Sequence, residues 1–179
     1  MKRATRILVS VALSAITLPA LAPAAPVAHE EHAAMAPSAL DPLKKLDGEW
    51  VGKAGAGDQK MDATVVYHVT AAGSAVMETQ FPGGDHEMVT LYTVEGGQLV
   101  LTHYCAAGNQ PRMKARKGTA ANELIFDYAG GPGINVKTDM HMHAAKITFV
   151  DDDHIRCEWT SYEKGKAGHV MSFELERKK

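Results

Sequence analysis

Beyond Gly48 the chain alternates apolar and polar residues with a period of two, and glycine or proline interrupts the alternation at short intervals. Residues i and i+2 of an extended strand point to the same face, so this pattern predicts β-strands with one buried face. The clearest pair is separated by Gly96 and Gly97, which predicts a tight hairpin. The predicted strands are one around Trp50 and then 63–71, 74–81, 86–95, 98–105, 112–117, 123–128, 145–150, 154–162 and 168–177.

These ten or so strands have no helix of comparable size to cover them. One helical turn is predicted before Gly48, with Asp41 as the N-cap and Pro42 at the first helical position. A many-stranded sheet without helical cover must close on itself or fold into a sandwich to bury its apolar face. Short turns between neighbours favour closure, so we predict an all-β, single antiparallel up-and-down barrel over residues 40–179. The irregular, glycine-rich stretch 129–143 is a candidate lid.

The first 39 residues follow a different pattern, and we expect them to lie outside the barrel. Three basic residues precede an uncharged run of twelve residues and then a segment rich in Ala and Pro, which is the order of a secretory signal peptide. The uncharged run is too short to span a bilayer. Ala22 and Ala24 predict cleavage after residue 24, which makes 1–24 a signal peptide and 25–39 a disordered tether. The protein is therefore expected to be exported, either periplasmic or secreted.

Cleavage changes the charge balance of the mature chain. The full chain has 19 Lys and Arg against 21 Asp and Glu, and loss of the three basic residues in 1–24 changes the net charge from −2 to −5. The remaining 155 residues suffice for one domain with one core. A mildly acidic chain lacks the basic stripe of a nucleic-acid-binding protein. No later apolar run approaches transmembrane length, so we expect no membrane span after cleavage.

The segment Leu46-Asp47-Gly48-Glu49-Trp50 resembles the Gly-x-Trp opening of the lipocalin and calycin barrels. In those barrels the Trp closes the floor and a basic residue near the last strand packs on it. The resemblance therefore implies structural roles for Gly48, Trp50 and Arg177. The blocks EMVTLY, LTHYCAAGNQPRM and MHMH resemble a group of exported bacterial lipocalin-like proteins of unknown function. The resemblance extends over 40–177 and implies a ligand-holding barrel, with no particular chemistry.

Alternation within the strands predicts which polar side chains face the interior. His103 and Cys105 share a face with two leucines, and Cys157 and His169 fall on the apolar faces of the last two strands. Glu78 shares a face with Val76 and Gln80, but the opposite face is more apolar. We expect the groups that orient a ligand to be His103, Tyr104, Asn109, Arg112, His141 and His143.

Arg112 and the two histidines of MHMH each have two interpretations. Arg112 could bind a ligand carboxylate through two hydrogen bonds, but it also belongs to a row of cations that is typical of a solvated exterior. His141 and His143 point the same way on an extended chain, and imidazole suits zinc, copper or haem iron. Together with His103 they are a candidate metal or haem site. In the other interpretation they hydrogen-bond to a loop and fill the barrel mouth.

The two cysteines, Cys105 and Cys157, also leave alternatives open. In an exported protein an even number of cysteines usually forms disulfides, and this pair could bond if its Cα atoms come within about 7 Å. The alternatives are inert buried thiols or soft metal ligands. The chain has no Gly-x-Ser-x-Gly elbow, no glycine-rich phosphate loop before a helix and no CxxC, so nothing positively supports an enzyme.

Three functions remain compatible with the sequence. The leading hypothesis is an exported barrel that binds a small, largely apolar ligand in its interior. The alternative is a metal- or haem-binding barrel that uses His103, His141 and His143, with redox or detoxifying activity. The third is an interaction module whose outer surface matters.

Overall fold

The structure, a computed structural model, describes residues 38–179, which form two short helical turns and a closed sheet of ten strands. The helical turns are α1 (Asp41–Lys44) and a 3-10 turn (Ala71–Gly73). The strands are β1 (Gly48–Ala56), β2 (Gln59–Thr70), β3 (Ala75–Gln80), β4 (Met88–Glu95), β5 (Gln98–Tyr104), β6 (Arg112–Ala115), β7 (Glu123–Gly130), β8 (His141–Phe149), β9 (His154–Glu163) and β10 (Lys166–Arg177). Each strand pairs antiparallel with its neighbours in sequence, and β1 also pairs with β10. The predicted all-β up-and-down barrel is therefore confirmed.

Several strands reach further than the hydrophobic alternation predicts. β7 continues to Gly130 and β8 begins at His141, so the predicted lid shortens to 131–140. Backbone hydrogen bonds between paired strands do not depend on side-chain polarity, so pairing continues past the last alternating residue. The predicted signal peptide and nearly all of the tether lie outside the described residues. Within 38–179, no helix combines the length and apolar character needed to cross a membrane.

The barrel has two different ends. We call the one that carries α1 the helix end, and the one formed by 57–58, 81–87, 105–111, 131–140 and 164–165 the loop end. At the helix end, Leu40, Leu43 and Leu46 are buried in the core. Asp41 is the first helical residue and not the N-cap; its carboxylate accepts a hydrogen bond from the Ser38 amide at 2.7 Å. This end of the barrel is closed by apolar side chains.

Trp50 and Arg177 hold the helix end together. The Arg177 guanidinium lies 4.4 Å from the centroid of the Trp50 ring and donates hydrogen bonds to the carbonyls of Lys45 and Asp47. The Trp50 indole donates to the Leu46 carbonyl at 2.7 Å. Gly48 has a φ of +123°, a conformation that side chains disfavour, and an added Cβ would lie 3.6 Å from Arg177. The arrangement links the segment before β1 to the end of β10.

Large side chains from opposite walls fill the barrel centre. Trp50, Tyr67, Tyr92, Phe126 and Phe173 are all buried, and they belong to five different strands. Almost none of the surface of these side chains is accessible to solvent. The polar groups described next are therefore embedded in an apolar interior.

Candidate functional site

Four polar side chains form a continuous row across the inner face of β2, β3, β4 and β5. Tyr67 pairs with Glu78, Glu78 with Thr90, and Thr90 with His103. Each of the four is only 1% exposed. Because directly paired residues on adjacent strands share a face, the register places all four side chains on the inner face of the barrel. We call these four residues the polar row.

Neutral donors surround Glu78 in this row. The Tyr92 hydroxyl donates to Glu78 Oε2, and Gln80 Nε2 donates to Oε1 at 2.6 Å. Burial raises the pKa of Glu78, although these two hydrogen bonds oppose the shift. Burial also raises the pKa of Tyr67 and of Tyr92 well above the usual tyrosine value. Both phenols therefore remain protonated donors at neutral pH.

His103 ends the row and has one unsatisfied nitrogen. Its Nδ1 lies 2.9 Å from the Thr90 hydroxyl oxygen, whereas its buried Nε2 has no hydrogen-bond partner within residues 38–179. The imidazole faces the Trp159 ring, with 4.6 Å between the ring centroids. Burial lowers the pKa of His103 to about 4, so the imidazole is neutral at pH 7. An unsatisfied buried polar atom is uncommon in folded proteins and requires an explanation.

The opposite wall contributes apolar and weakly polar groups from β9. Trp159 contacts His103, and the Cys157 thiol lies 3.7 Å from the Tyr67 hydroxyl. Burial raises the pKa of the Cys157 thiol, so the reactive thiolate is disfavoured. The polar row is thus covered by the side chains of β9.

His141 and His143 lie at the loop end in a cluster with two tyrosines. The His143 ring stacks on Tyr162 with 3.8 Å between centroids, and on Tyr128 with 4.9 Å. His141 is completely buried, and it pairs with Tyr162 across the sheet. A β-bulge between Met142 and Ala144 inserts His143 as an extra residue, which breaks simple alternation.

Hydrogen bonds fix the tautomers of this histidine pair. His141 Nδ1 lies 2.9 Å from the Asp139 carbonyl, which can only accept, so this nitrogen carries the proton. Between two neutral imidazoles, His141 Nε2 then accepts from His143 Nδ1, also at 2.9 Å. Burial lowers the pKa of His143, with a smaller contribution from His141 in the same direction and an opposing one from Asp127. The pair connects β8 to the preceding loop, in agreement with the loop-filling interpretation.

The predicted three-histidine metal site is not present. Residues 38–179 contain no group of three or more His, Cys, Asp or Glu side chains placed to hold a metal ion. His141 and His143 contact each other, but His103 contacts Thr90 and Trp159 on other strands. The sequence alone could not show which of these histidines come into contact.

Two other predicted ligand residues point away from the interior. Arg112 binds Glu95 on the outer surface, and its neighbour Met113 is the residue that is buried. Tyr104 is 46% exposed, because it follows the inward-facing His103. Asn109 lies at the loop end, where its Nδ2 donates to the Met140 carbonyl at 2.7 Å and its buried Oδ1 lacks a partner among the described residues. Of these three, only Asn109 has an unsatisfied group near the loop end.

The disulfide considered from the sequence is not formed, because both cysteines are free. Cys105 follows the last residue of β5, in the loop at the loop end, and is only partly buried. Cys157 lies within β9, where it pairs with Ile147 on one side and Phe173 on the other. His169 is also corrected: it is exposed, because a register shift between Ala167 and Val170 interrupts the alternation of β10.

A cleft of about 710 Å³ lies outside the barrel, at the helix end, between α1 and the turns that follow β6 and β8. Asp151, Asp152, Asp153 and Arg177 are among its lining residues, and none of the predicted ligand residues belongs to it. Arg177 is already engaged with Trp50 and two carbonyls. The polar row is therefore the stronger candidate site.

The sequence identifies His103 but not the rest of the row. Alternation does not select Glu78, because Met77 and Phe81 make the opposite face of β3 more apolar, yet Glu78 is buried. Thr90 and Tyr67 belong to strands whose β-branched and aromatic residues give no sign of a site. The pairing of β3 with β4 is the missing information, since it places Glu78 opposite Thr90.

Comparison with known proteins supports the fold alone. No protein-family model matches the chain, and no curated protein matches it. A protein of unknown function from the DUF3598 family of Nostoc punctiforme PCC 73102 is similar in structure, with a TM-score of 0.52 and 14% identity over 76% of this chain and 49% of that one. This chain thus spans about half the length of that protein. Rv2717c from M. tuberculosis is similar with a TM-score of 0.52 and 16% identity, over 78% of this chain and 97% of that one. The chain therefore shares its fold with these two proteins, and the protein from Nostoc punctiforme is described as having unknown function.

Proposed function

We propose that this protein is an exported, lipocalin-like barrel that binds a small, largely apolar molecule in its interior, next to the polar row. The observation that carries the proposal is the unsatisfied Nε2 of His103, buried within an otherwise hydrogen-bonded row. Leaving a buried polar group without a partner costs about 1–3 kcal/mol. A barrel with only a structural role has no need for such a group, whereas a ligand that pairs with Nε2 would remove the cost.

The surroundings of the row favour an apolar ligand body. Trp159 contacts His103 directly. Tyr92 and Leu101 pair with each other across β4 and β5, and they share the inner face with Thr90 and His103. These side chains are almost fully buried. Binding sites for small molecules are commonly lined by apolar and aromatic side chains with a few polar groups that fix orientation. The polar row supplies those few groups.

A ligand would enter from the loop end by moving side chains. His103 is the last residue but one of β5, so the His103 end of the row lies close to the loop end. Phe81, Met142 and Met171 pack against the core there while remaining partly exposed. Phe81 adopts a φ of +54°, which is strained for an aromatic residue, and its ring lies 5.7 Å from that of Phe173. We assign Phe81 as the side chain that moves when the ligand enters.

Two further features support the lipocalin-like and exported parts of the proposal. The contact between Trp50 and Arg177 matches the arrangement that the resemblance implies. The N-terminal pattern of basic, uncharged and small residues supports export. Expression of the full chain in a bacterium, followed by cell fractionation and N-terminal sequencing, tests export. We expect a product beginning at Ala25 in the periplasm or the medium, and an uncleaved cytoplasmic chain would contradict it.

Mass spectrometry of molecules released from the native protein tests ligand binding. The protein is purified without denaturants, extracted with organic solvent, and compared with His103→Phe and with the matched outer-surface variant His68→Phe. We expect a small molecule to accompany the wild type and His68→Phe, and to be depleted from His103→Phe. Equal recovery from all three would contradict binding at the polar row. A Soret absorption band that is lost only in His103→Phe would instead favour the haem alternative.

A further inference from the structure

The hydrogen bond between Thr90 and His103 determines what the free Nε2 can offer. It is the one hydrogen bond that the Thr90 hydroxyl makes within residues 38–179. The Thr90 hydroxyl proton has an acceptor in this hydrogen bond only if Nδ1 is unprotonated. A protonated Nδ1 would itself donate to the hydroxyl oxygen and leave the Thr90 proton without an acceptor. Nδ1 is then the bare nitrogen, and the proton of the neutral imidazole is on Nε2. The unsatisfied atom is therefore a donor.

The groups in contact with His103 provide no charge for a ligand to pair with. Thr90 and Trp159 are neutral, and the imidazole itself is uncharged at pH 7. The nearest ionisable group along the row is the Glu78 carboxyl, one strand beyond Thr90. An anion bound at Nε2 would have no cation among these described contacts, and a buried unpaired charge is strongly unfavourable.

Resting on the proposed function, we propose that the ligand is an uncharged molecule that presents a hydrogen-bond acceptor, such as a ketone, ester or ether oxygen, to the Nε2–H of His103. The apolar body of the ligand contacts Trp159 and its neighbours, and the acceptor oxygen fixes its orientation. This narrows the ligand class: hydrocarbons lack the acceptor, and carboxylates bring a charge that the site does not neutralise.

The tautomer of His103 is testable without any ligand. In uniformly ¹⁵N-labelled protein at pH 7, two- and three-bond ¹H–¹⁵N correlations distinguish a protonated Nε2 from a protonated Nδ1. We expect the Nε2–H tautomer in the wild type. A Thr90→Val variant removes the donor to Nδ1, so we expect the tautomer to shift toward protonated Nδ1. Protonated Nδ1 in the wild type would overturn the inference, because Nε2 would then offer a lone pair.

Three matched probes test the ligand class. 2-Acetylnaphthalene carries a carbonyl acceptor, 2-ethylnaphthalene has nearly the same shape without one, and 2-naphthoate adds a charge. We expect 2-acetylnaphthalene to bind the wild type about tenfold more tightly than 2-ethylnaphthalene, since one buried hydrogen bond is worth about that ratio. We expect 2-naphthoate at pH 7 to bind more weakly than 2-acetylnaphthalene.

Two variants separate the role of His103 from general effects on the barrel. His103→Gln keeps an N–H donor at this position, whereas His103→Phe keeps an aromatic ring and removes the donor. We expect His103→Gln still to bind 2-acetylnaphthalene more tightly than 2-ethylnaphthalene. We expect His103→Phe to bind the two probes with about equal affinity. A preference that persists in His103→Phe overturns the inference.

The outcomes also separate this inference from the proposed function. If the acetyl and ethyl probes bind the wild type equally well, interior binding stands and the acceptor requirement is wrong. If no probe binds the wild type, the proposed interior site fails, and the inference fails with it.

Discussion

Acid should destabilise this protein through His103. The pKa of this imidazole is about 4 in the folded protein, against an ordinary value of 6.5 that we take for the unfolded chain. Between these two values the unfolded chain binds a proton that the folded protein excludes, so the free energy of unfolding decreases as pH falls from about 6.5 to about 4. Above pH 6.5 both states are neutral at this site, and its contribution to stability is fully present.

The shift gives the size of the effect. Using these two pKa values, the linkage relation predicts a loss of about 2 kcal/mol at pH 5 relative to pH 7.5, and about 3 kcal/mol at pH 4. Glu78 acts in the opposite direction, because its raised pKa favours the folded state at low pH. The contribution of Glu78 is present in both the wild type and a His103 variant, so the difference between them isolates His103.

Urea unfolding followed by the fluorescence of Trp50 and Trp159 measures this difference. The wild type, His103→Gln and the control His68→Gln are compared at pH 7.5, 6 and 5; the His68 side chain is 62% exposed. Between pH 7.5 and pH 5, the wild type and His68→Gln should each lose about 2 kcal/mol more than His103→Gln. Parallel pH profiles, with differences below about 0.5 kcal/mol, would refute a desolvated neutral His103.

Three further predictions concern other parts of the barrel. Arg177→Met should lower the free energy of unfolding by about 1–3 kcal/mol in urea, because it removes the contact with Trp50 and two charged hydrogen bonds; Lys178→Met is the exposed control, and an equal loss there would argue against a specific role. Phe81→Gly should be more stable than Phe81→Ala by about 1 kcal/mol, since both remove the ring but only glycine relieves the positive φ; equal unfolding midpoints would contradict the strain. A thiol-reactive disulfide reagent should label Cys105 rapidly in the native protein and Cys157 only after unfolding; no labelling in 8 M urea without reductant would indicate a disulfide.

The periodicity of the sequence determined the class of fold. Alternation with period two, glycine-rich turns and the lack of a long helical segment leave a closed sheet as the simplest way to bury one face of ten strands, and the structure has that sheet. The same periodicity placed His103 and Cys157 on the inner face, because both lie in strand segments that alternate regularly. It failed for His169, because β-bulges add residues that no alternation rule anticipates.

The candidate site depended on information that a single strand does not contain. Residues far apart in sequence, Tyr67 and His103 among them, belong to one row on the inner face only because four strands pair in a particular register. Register follows from the packing of all ten strands together, since a shift by one residue would move every side chain to the other face. Likewise, the separation of His103 from the pair His141 and His143 is a consequence of the three-dimensional path of the chain. Local chemistry along the chain thus determined which strands form, and tertiary packing alone decided which polar groups meet inside the barrel.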